Sequence, residues 1–196
     1  MIYTVGHSTH TFDQLLCLLR QHEITAVADV RSQPYSRLNP QFNREPFKIS
    51  LRESGLLYVF LGAELGARTD DASCYVNGKI QYEILARTAS FQRGIERLRQ
   101  GTEKNRIVIM CAEKEPLACH RTILISRHLR EQNISVRHIL DNGILEDHDA
   151  SIERLLKLLG LAEPDMFRSR EELVSLAYTL QGEKIAYSAD EITQTA

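Results

Sequence analysis

Apolar residues in this chain fall by turns into short β-branched runs and into helical faces, and the alternation repeats about five times. Ile2–Val5 is an apolar run stopped by Gly6, the pattern of a buried strand. Thr11 followed by Gln14 is a capping-box pattern, and it opens a helix with Phe12, Leu15, Leu16 and Leu19 among its apolar positions. Ile24–Val30 returns to β-branched and small residues and predicts a second strand. Pro34, Pro40 and Pro46 keep the next stretch irregular until about Phe47. A helix then ends near Gly55, and Leu56–Leu61 is the third strand. Residues 62–88 hold Gly62, Gly66 and Gly78 with weak periodicity, an irregular excursion of the kind that often lines a site. Ser90–Gln100 is an amphipathic helix closed by Gly101, and Arg106–Met110 is the fourth strand. Ala118–Asn133 is a helix after Pro116, and Val136–Leu140 is the fifth strand, ended by Asp141-Asn142-Gly143. Two more helices follow: Ser151–Leu159, stopped at Gly160, and Ser169–Leu180, opened by a Ser169/Glu172 capping box and stopped near Gly182.

This pattern predicts an α/β fold: an open, mostly parallel sheet of about five strands with helices on both faces, plus C-terminal helices. The favoured strand order is the Rossmann-like 3-2-1-4-5, which sets the ends of strands one and four side by side. The flavodoxin-like order 2-1-3-4-5 is the alternative. Residues 1–145 form the α/β domain, 146–187 a helical extension and 188–196 a loose tail.

Composition adds exclusions. A chain of 196 residues, 43% hydrophobic and 26% charged, suits one soluble domain with an appendage. No apolar run approaches the roughly 20 residues that span a bilayer, and the N-terminus reads as a strand, not a signal peptide. Four cysteines without scaffold-like spacing fit free thiols in a reducing, cytoplasmic setting. A net charge of −2 argues against indiscriminate phosphate-backbone binding. Arg44, Lys48, Arg52, Arg87, Arg93, Arg97 and Arg99 are interrupted by Glu45, Glu53 and Glu96, so nucleic acid is only weakly supported as a partner.

Polar residues gather where strands end. Gly6-His7-Ser8 follows strand one, and its amides and hydroxyl suit an anion, with His7 an acid or base near neutral pH; a capped turn is the plainer reading. Asp29 and Arg31 share one face of strand two, with Ser36 beyond, and read first as a buried pair that organises the site. Cys111 and Glu113 follow strand four; Cys119, His120 and Arg121 open the next helix. A helix N-terminus and a cation both favour a thiolate or an oxyanion, so Cys111 is a candidate nucleophile and Arg121 a candidate anion fork. Glu113 is a candidate base or a brace for His120. Glu113 and Glu115 count against a simple phosphatase cradle. His138 lies in strand five, facing either the pocket or the core. Cys17 reads as core and Cys74 as a bystander; His10, His22, His128 and His148 read as surface. The cysteine spacing is not a knuckle, and adjacent Cys119 and His120 are not expected to reach one ion together, so no metal is expected. The residues identify no cofactor.

Thr4-Val5-Gly6-His7-Ser8, Asp29-Val30-Arg31 with Pro34 and Ser36, Leu61-Gly62 to Leu65-Gly66, Cys111-Ala112-Glu113 with Pro116, Cys119-His120-Arg121 and Val136-Arg137-His138-Ile139 together resemble the Domain of Unknown Function 488 family over roughly residues 1–145. The resemblance implies an α/β domain of bacterial and archaeal cytoplasm whose motifs form a common pocket, and it implies no reaction. Family members often carry Gly-Gly where this chain has Gly66-Ala67. The leading expectation is an enzyme, a cysteine-dependent hydrolase or transferase, acting on a phosphorylated or nucleotide-like ligand. In it Cys111, His120, His7 and Glu113 do the chemistry. Gly6, Ser8, Asp29, Arg31, Ser36, Cys119, Arg121 and His138 bind the ligand. The alternative is a non-catalytic module that binds a small anion or nucleic acid in the same pocket.

Overall fold

A computed structural model describes residues 1–162 and 166–188. Strand β1 (Ile2–Gly6) leads through helix α1 (Phe12–Gln21) to β2 (Ala26–Asp29), α2 (Arg44–Glu53) and β3 (Leu57–Phe60). The glycine-bearing excursion then folds into α3 (Gly62–Leu65), a hairpin of β4 (Tyr75–Val76) and β5 (Lys79–Ile80), and α4 (Tyr82–Arg87). Next come α5 (Ala89–Gly101), β6 (Ile107–Cys111), α6 (Arg127–Glu131), β7 (Val136–Ile139), β8 (Leu145–Asp147), α7 (His148–Leu158) and α8 (Arg170–Ile185). Both capping boxes form, Thr11 with Gln14 and Ser169 with Glu172.

The sheet is mostly parallel, as the pattern predicts, but its order is β3-β2-β6-β1-β7-β8, with β8 antiparallel at the edge. In this order the fourth strand of the sequence reading, β6, lies between β2 and β1, and the fifth, β7, pairs with β1. Both expected orders are therefore corrected. The connection from β1 to β2 passes over one strand position and leaves a slot, which β6 fills. Every residue of β6 and of β1 is buried, whereas β3 alternates exposed and half-buried positions as an edge-proximal strand does.

Helices α1 and α2 cover one face, packing Leu15, Leu19, Phe47 and Leu51 on Val5, Val27, Val108 and Met110. Helix α5 and the segment after β6 cover the other, with Ile95, Leu98, Leu124 and Ile125 over Ala28, Ile107 and Ile109. The chain thus leaves β1 and β2 toward one face and leaves the intervening β6 toward the other. In open α/β sheets ligands favour the point where adjacent strands send their connections to opposite faces, and here that point is the carboxyl end of β6. The C-terminal helices α7 and α8 form a third apolar cluster with Leu117 and Ile123.

The helix expected over 118–133 is broken into parts. A 3-10 turn at Pro116–Ala118 precedes a π-helical segment, Arg121–Ser126, that runs into α6. Ser126 Oγ donates to the Arg121 carbonyl at 2.7 Å, supporting the wider turn. π-Helical turns are rare and concentrate at functional sites. Two single-residue expectations are also corrected: Cys17 is exposed on α1, and His148 is buried.

Candidate functional site

The strand ends are held by backbone first. Beyond Gly6 the pairing of β1 with β6 continues, His7 N–H to the Cys111 carbonyl and Ser8 N–H to the Ala112 carbonyl, each at 2.9 Å. Gly6 is required there because a Cβ would collide with the Glu113 carbonyl. Ser8 turns the chain with a φ of 48°, a left-handed conformation uncommon outside glycine.

Two clusters flank β6. The first gathers His7, Asp29 and Arg31. Asp29 accepts from Arg31 Nε at 2.9 Å, from Arg31 Nη2 at 2.7 Å and from the Tyr58 hydroxyl at 2.9 Å. Arg31 Nη2 also donates to the Phe42 carbonyl at 2.7 Å, and Nη1 donates to His7 Nε2 at 3.2 Å. His7 Nδ1 then carries its proton to the Ser8 carbonyl at 2.9 Å, while the ring stacks on Phe42. Burial, with the Arg31 charge behind it, lowers His7 to about 4. His7 is therefore neutral near pH 7, with its basic nitrogen occupied by Arg31. The expected proton carrier at that position is a fixed acceptor instead. Tyr58 and Phe42 belong to this cluster and were not singled out from the sequence; both lie in segments whose polarity gave no hint of a shared carboxylate.

The second cluster gathers Cys111, Glu113, Cys119 and His120, whose ligand-type atoms all lie within 4.8 Å of one another. Cys111 Sγ is 3.7 Å and Cys119 Sγ 3.8 Å from His120 Nδ1, and the Cys119 thiol donates to Glu113 Oε2 at 2.9 Å. His120 Nε2 donates to the Val30 carbonyl at 3.3 Å, which fixes the ring's tautomer and aims Nδ1 at the two sulfurs. Cys119 and His120 reach one point because the backbone changes there from extended at Cys119 (φ −135°, ψ 140°) to helical at His120 (φ −59°, ψ −24°). Neighbours inside one regular element diverge, and these do not. Cys111, Cys119 and His120 are buried, while Glu113 reaches solvent.

Electrostatics distinguish the two thiols. The hydrogen bond to Cys119 and burial both push Cys111 well above the usual thiol range. Burial opposes ionisation of Cys119 too, but the hydrogen bond from Cys111 and the Arg121 charge outweigh it, and Cys119 falls well below that range. Of the two thiols, Cys119 is therefore the more readily ionised, whereas the sequence singled out Cys111. Burial and the neighbouring Cys119 raise Glu113. His120 is raised by Cys119 and Glu113 against the effect of burial. Tyr82 on α4 is a further neighbour, its phenol raised by burial and by the charges of Cys119, Cys111 and Glu113.

Three expected ligand-binding residues sit elsewhere in the architecture. Arg121 is fully buried, and its guanidinium donates to the carbonyls of Glu113 at 2.6 Å and Lys114 at 3.2 Å; Nε finds no partner among the described residues. It staples the Glu113 loop and presents no fork to a ligand, which corrects the anion-site expectation. Ser36 Oγ accepts from Leu38 N and Asn39 N within its own turn. His138 is in a buried chain, Thr4 Oγ1 to His138 Nδ1 at 2.7 Å, His138 Nε2 to His148 Nδ1 at 3.0 Å, and His148 Nε2 to the Tyr178 hydroxyl at 2.8 Å.

A family model described as Domain of unknown function DUF488 matches residues 11–128, more than half of the chain, so the chain belongs to that family. The matched span holds Asp29, Arg31, Cys111, Glu113, Cys119, His120 and Arg121, and leaves out Gly6-His7-Ser8 and His138. No curated protein and no solved structure matches the chain.

Proposed function

We propose that this member of the DUF488 family is an enzyme, a hydrolase or transferase whose reacting groups are Cys111, Cys119, His120 and Glu113. The observation that carries the reading is the convergence of those four side chains within 4.8 Å at the carboxyl end of β6. Burying ionisable groups costs free energy that a merely structural strand end avoids, and clustered, perturbed ionisable groups in a crevice mark reaction centres. Glu113, the member in contact with solvent, is the group a substrate meets first and the natural carrier of a proton between solvent and the buried sulfurs. The phosphorylated or nucleotide-like ligand expected from the sequence depended on Arg121 as charge partner. With that guanidinium committed to two carbonyls, the proposal is hydrolysis or group transfer without phosphate specificity. The anion-binding module loses the same support.

The test is a panel of esters, thioesters, amides, amidines and phosphoesters offered to the wild type, Glu113→Gln and Cys119→Ser. One class should be turned over, with a loss of about 10²–10⁴-fold on replacing the proton carrier. If no class is turned over faster by the wild type than by both variants, the enzyme reading fails.

A further inference from the structure

The geometry points to a site for one divalent, thiophilic metal ion of the zinc class, held by Cys111, Cys119 and His120 with Glu113 beside the fourth position. Three independent features of the cluster carry this. The first is spacing. A metal about 2.3 Å from sulfur and about 2.0–2.1 Å from nitrogen, at the tetrahedral angle, sets those two atoms about 3.6 Å apart. The sulfurs of Cys111 and Cys119 stand 3.7 and 3.8 Å from His120 Nδ1, near the edges of such a tetrahedron.

The second is the support behind the ligands. A metal-binding imidazole characteristically donates its remote N–H to a carbonyl or carboxylate, and His120 does so to Val30 at 3.3 Å. The Arg121 backbone N–H points at Cys119 Sγ at 3.4 Å, a donor suited to a thiolate ligand. The third is rigidity. Gly6 lets the Glu113 backbone close on β1, and the Arg121 guanidinium fixes the carbonyls of Glu113 and Lys114. The loop between the first ligand and the other two is therefore held before any ion arrives. Two thiolates and a neutral imidazole offset a dication's charge. Three protein ligands leave the open position of a catalytic site, in which Glu113 would take a proton from bound water. Such a site would run against the expectation of no metal drawn from the cysteine spacing.

The inference shares residues with the enzyme proposal, and the two are separable by experiment. The full chain is stripped with a chelator, dialysed and loaded with Co²⁺ alone, because zinc itself is spectroscopically silent. The expected result is one Co²⁺ per chain, with thiolate-to-cobalt charge-transfer absorption and the intense visible bands of a four-coordinate ion. Zn²⁺ should displace it stoichiometrically. Cys111→Ser, Cys119→Ser and His120→Asn should each weaken binding at least about 100-fold. Glu113→Gln should keep the charge-transfer band, and Cys17→Ser on the exposed face of α1 should bind as the wild type does. Circular dichroism establishes which variants are folded. If a variant is not, X-ray absorption on the loaded wild type reads the ligands directly, two sulfurs and one imidazole being required. Sub-stoichiometric cobalt on the folded wild type, or cobalt affinity and charge-transfer intensity undiminished in both cysteine variants, overturns the site. Stoichiometric metal without turnover of any substrate overturns the enzyme reading alone; turnover that survives metal removal overturns the catalytic role of the ion and leaves the enzyme reading standing.

Discussion

Acidification should destabilise this protein through His148, by an amount the buried histidine chain sets. His148 accepts or donates only inside the chain that joins Thr4, His138 and Tyr178, and its surroundings are nearly closed to water. Burial lowers it from 6.5 to about 4; Asp149 and Glu146 pull it upward, and Arg130 pushes it down. Burial and the adjacent His148 lower His138 as well. A neutral chain can run its hydrogen bonds in either direction. One added proton is accommodated by turning the Tyr178 hydroxyl into an acceptor, but a second would set two N–H groups head to head between the rings. Because the folded pKa lies below the unfolded one, the unfolded chain takes the proton first. The stabilisation is complete above about pH 6.5 and is lost as pH falls toward 4. Holding one imidazole neutral over that interval corresponds to roughly 3 kcal/mol. Urea unfolding at pH 7.5, 6.5, 5.5 and 4.5 measures it, with His148→Gln as the reference that removes this titration and leaves the others. The wild type should lose about 2.5 kcal/mol more than the variant between the extremes. Equal losses in the two proteins would refute the argument.

Further outcomes follow from the same geometry. Gly6→Ala should destabilise the fold by about 3 kcal/mol or more, since the methyl group meets the Glu113 carbonyl and neither strand end can yield; chemical denaturation measures it. Asp29→Asn leaves the Arg31 charge buried without its bidentate partner and should cost about 3–5 kcal/mol, read from the same curves. Tyr178→Phe removes one end of the histidine chain and should cost about 1 kcal/mol, seen as a lower Tm. A disulfide reagent should titrate Cys17 rapidly in the folded protein and all four thiols in urea; fast labelling of a second thiol in the folded state would contradict the burial of Cys74, Cys111 and Cys119.

How far the fold could be read from sequence depended on whether a feature is local. The capping boxes at Thr11 and Ser169 are local, and both form. Strand order is not. Both β1 and β6 are mostly apolar and buried throughout, so hydrophobic pattern alone does not say which neighbours β2, and the slot left by the β1–β2 connection decides it. The π-helical segment was equally hidden, because Arg121–Ser126 has ordinary helical composition and departs only in its backbone bonding. Cys17 was misplaced for a periodic reason: at 100° per residue it lies opposite Leu15 and Leu19, which are buried. His148, flanked by Asp147 and Asp149, has a solvated neighbourhood in sequence, and only the approach of His138 and Tyr178 draws it inward.

The candidate site divides along the same line. The residue types were visible at the strand ends, and their partition was not. Asp29 and Arg31 fall on the face of α1 and α2, and Cys111 on the face of α5, because alternate residues of a strand point to opposite sides. Once β6 lies between β1 and β2, one pocket becomes two clusters, joined by the His7 N–H on the Cys111 carbonyl and by His120 on the Val30 carbonyl. Arg121 shows why composition misleads at such a place. A lone arginine after a strand suggests an anion, yet the close approach that Gly6 permits turns two carbonyls toward it and uses its charge internally. Its guanidinium instead fixes the loop that carries Glu113, and its charge favours ionisation of the Cys119 thiol. The charge that suggested an anion is taken up by the protein's own loop and sulfur.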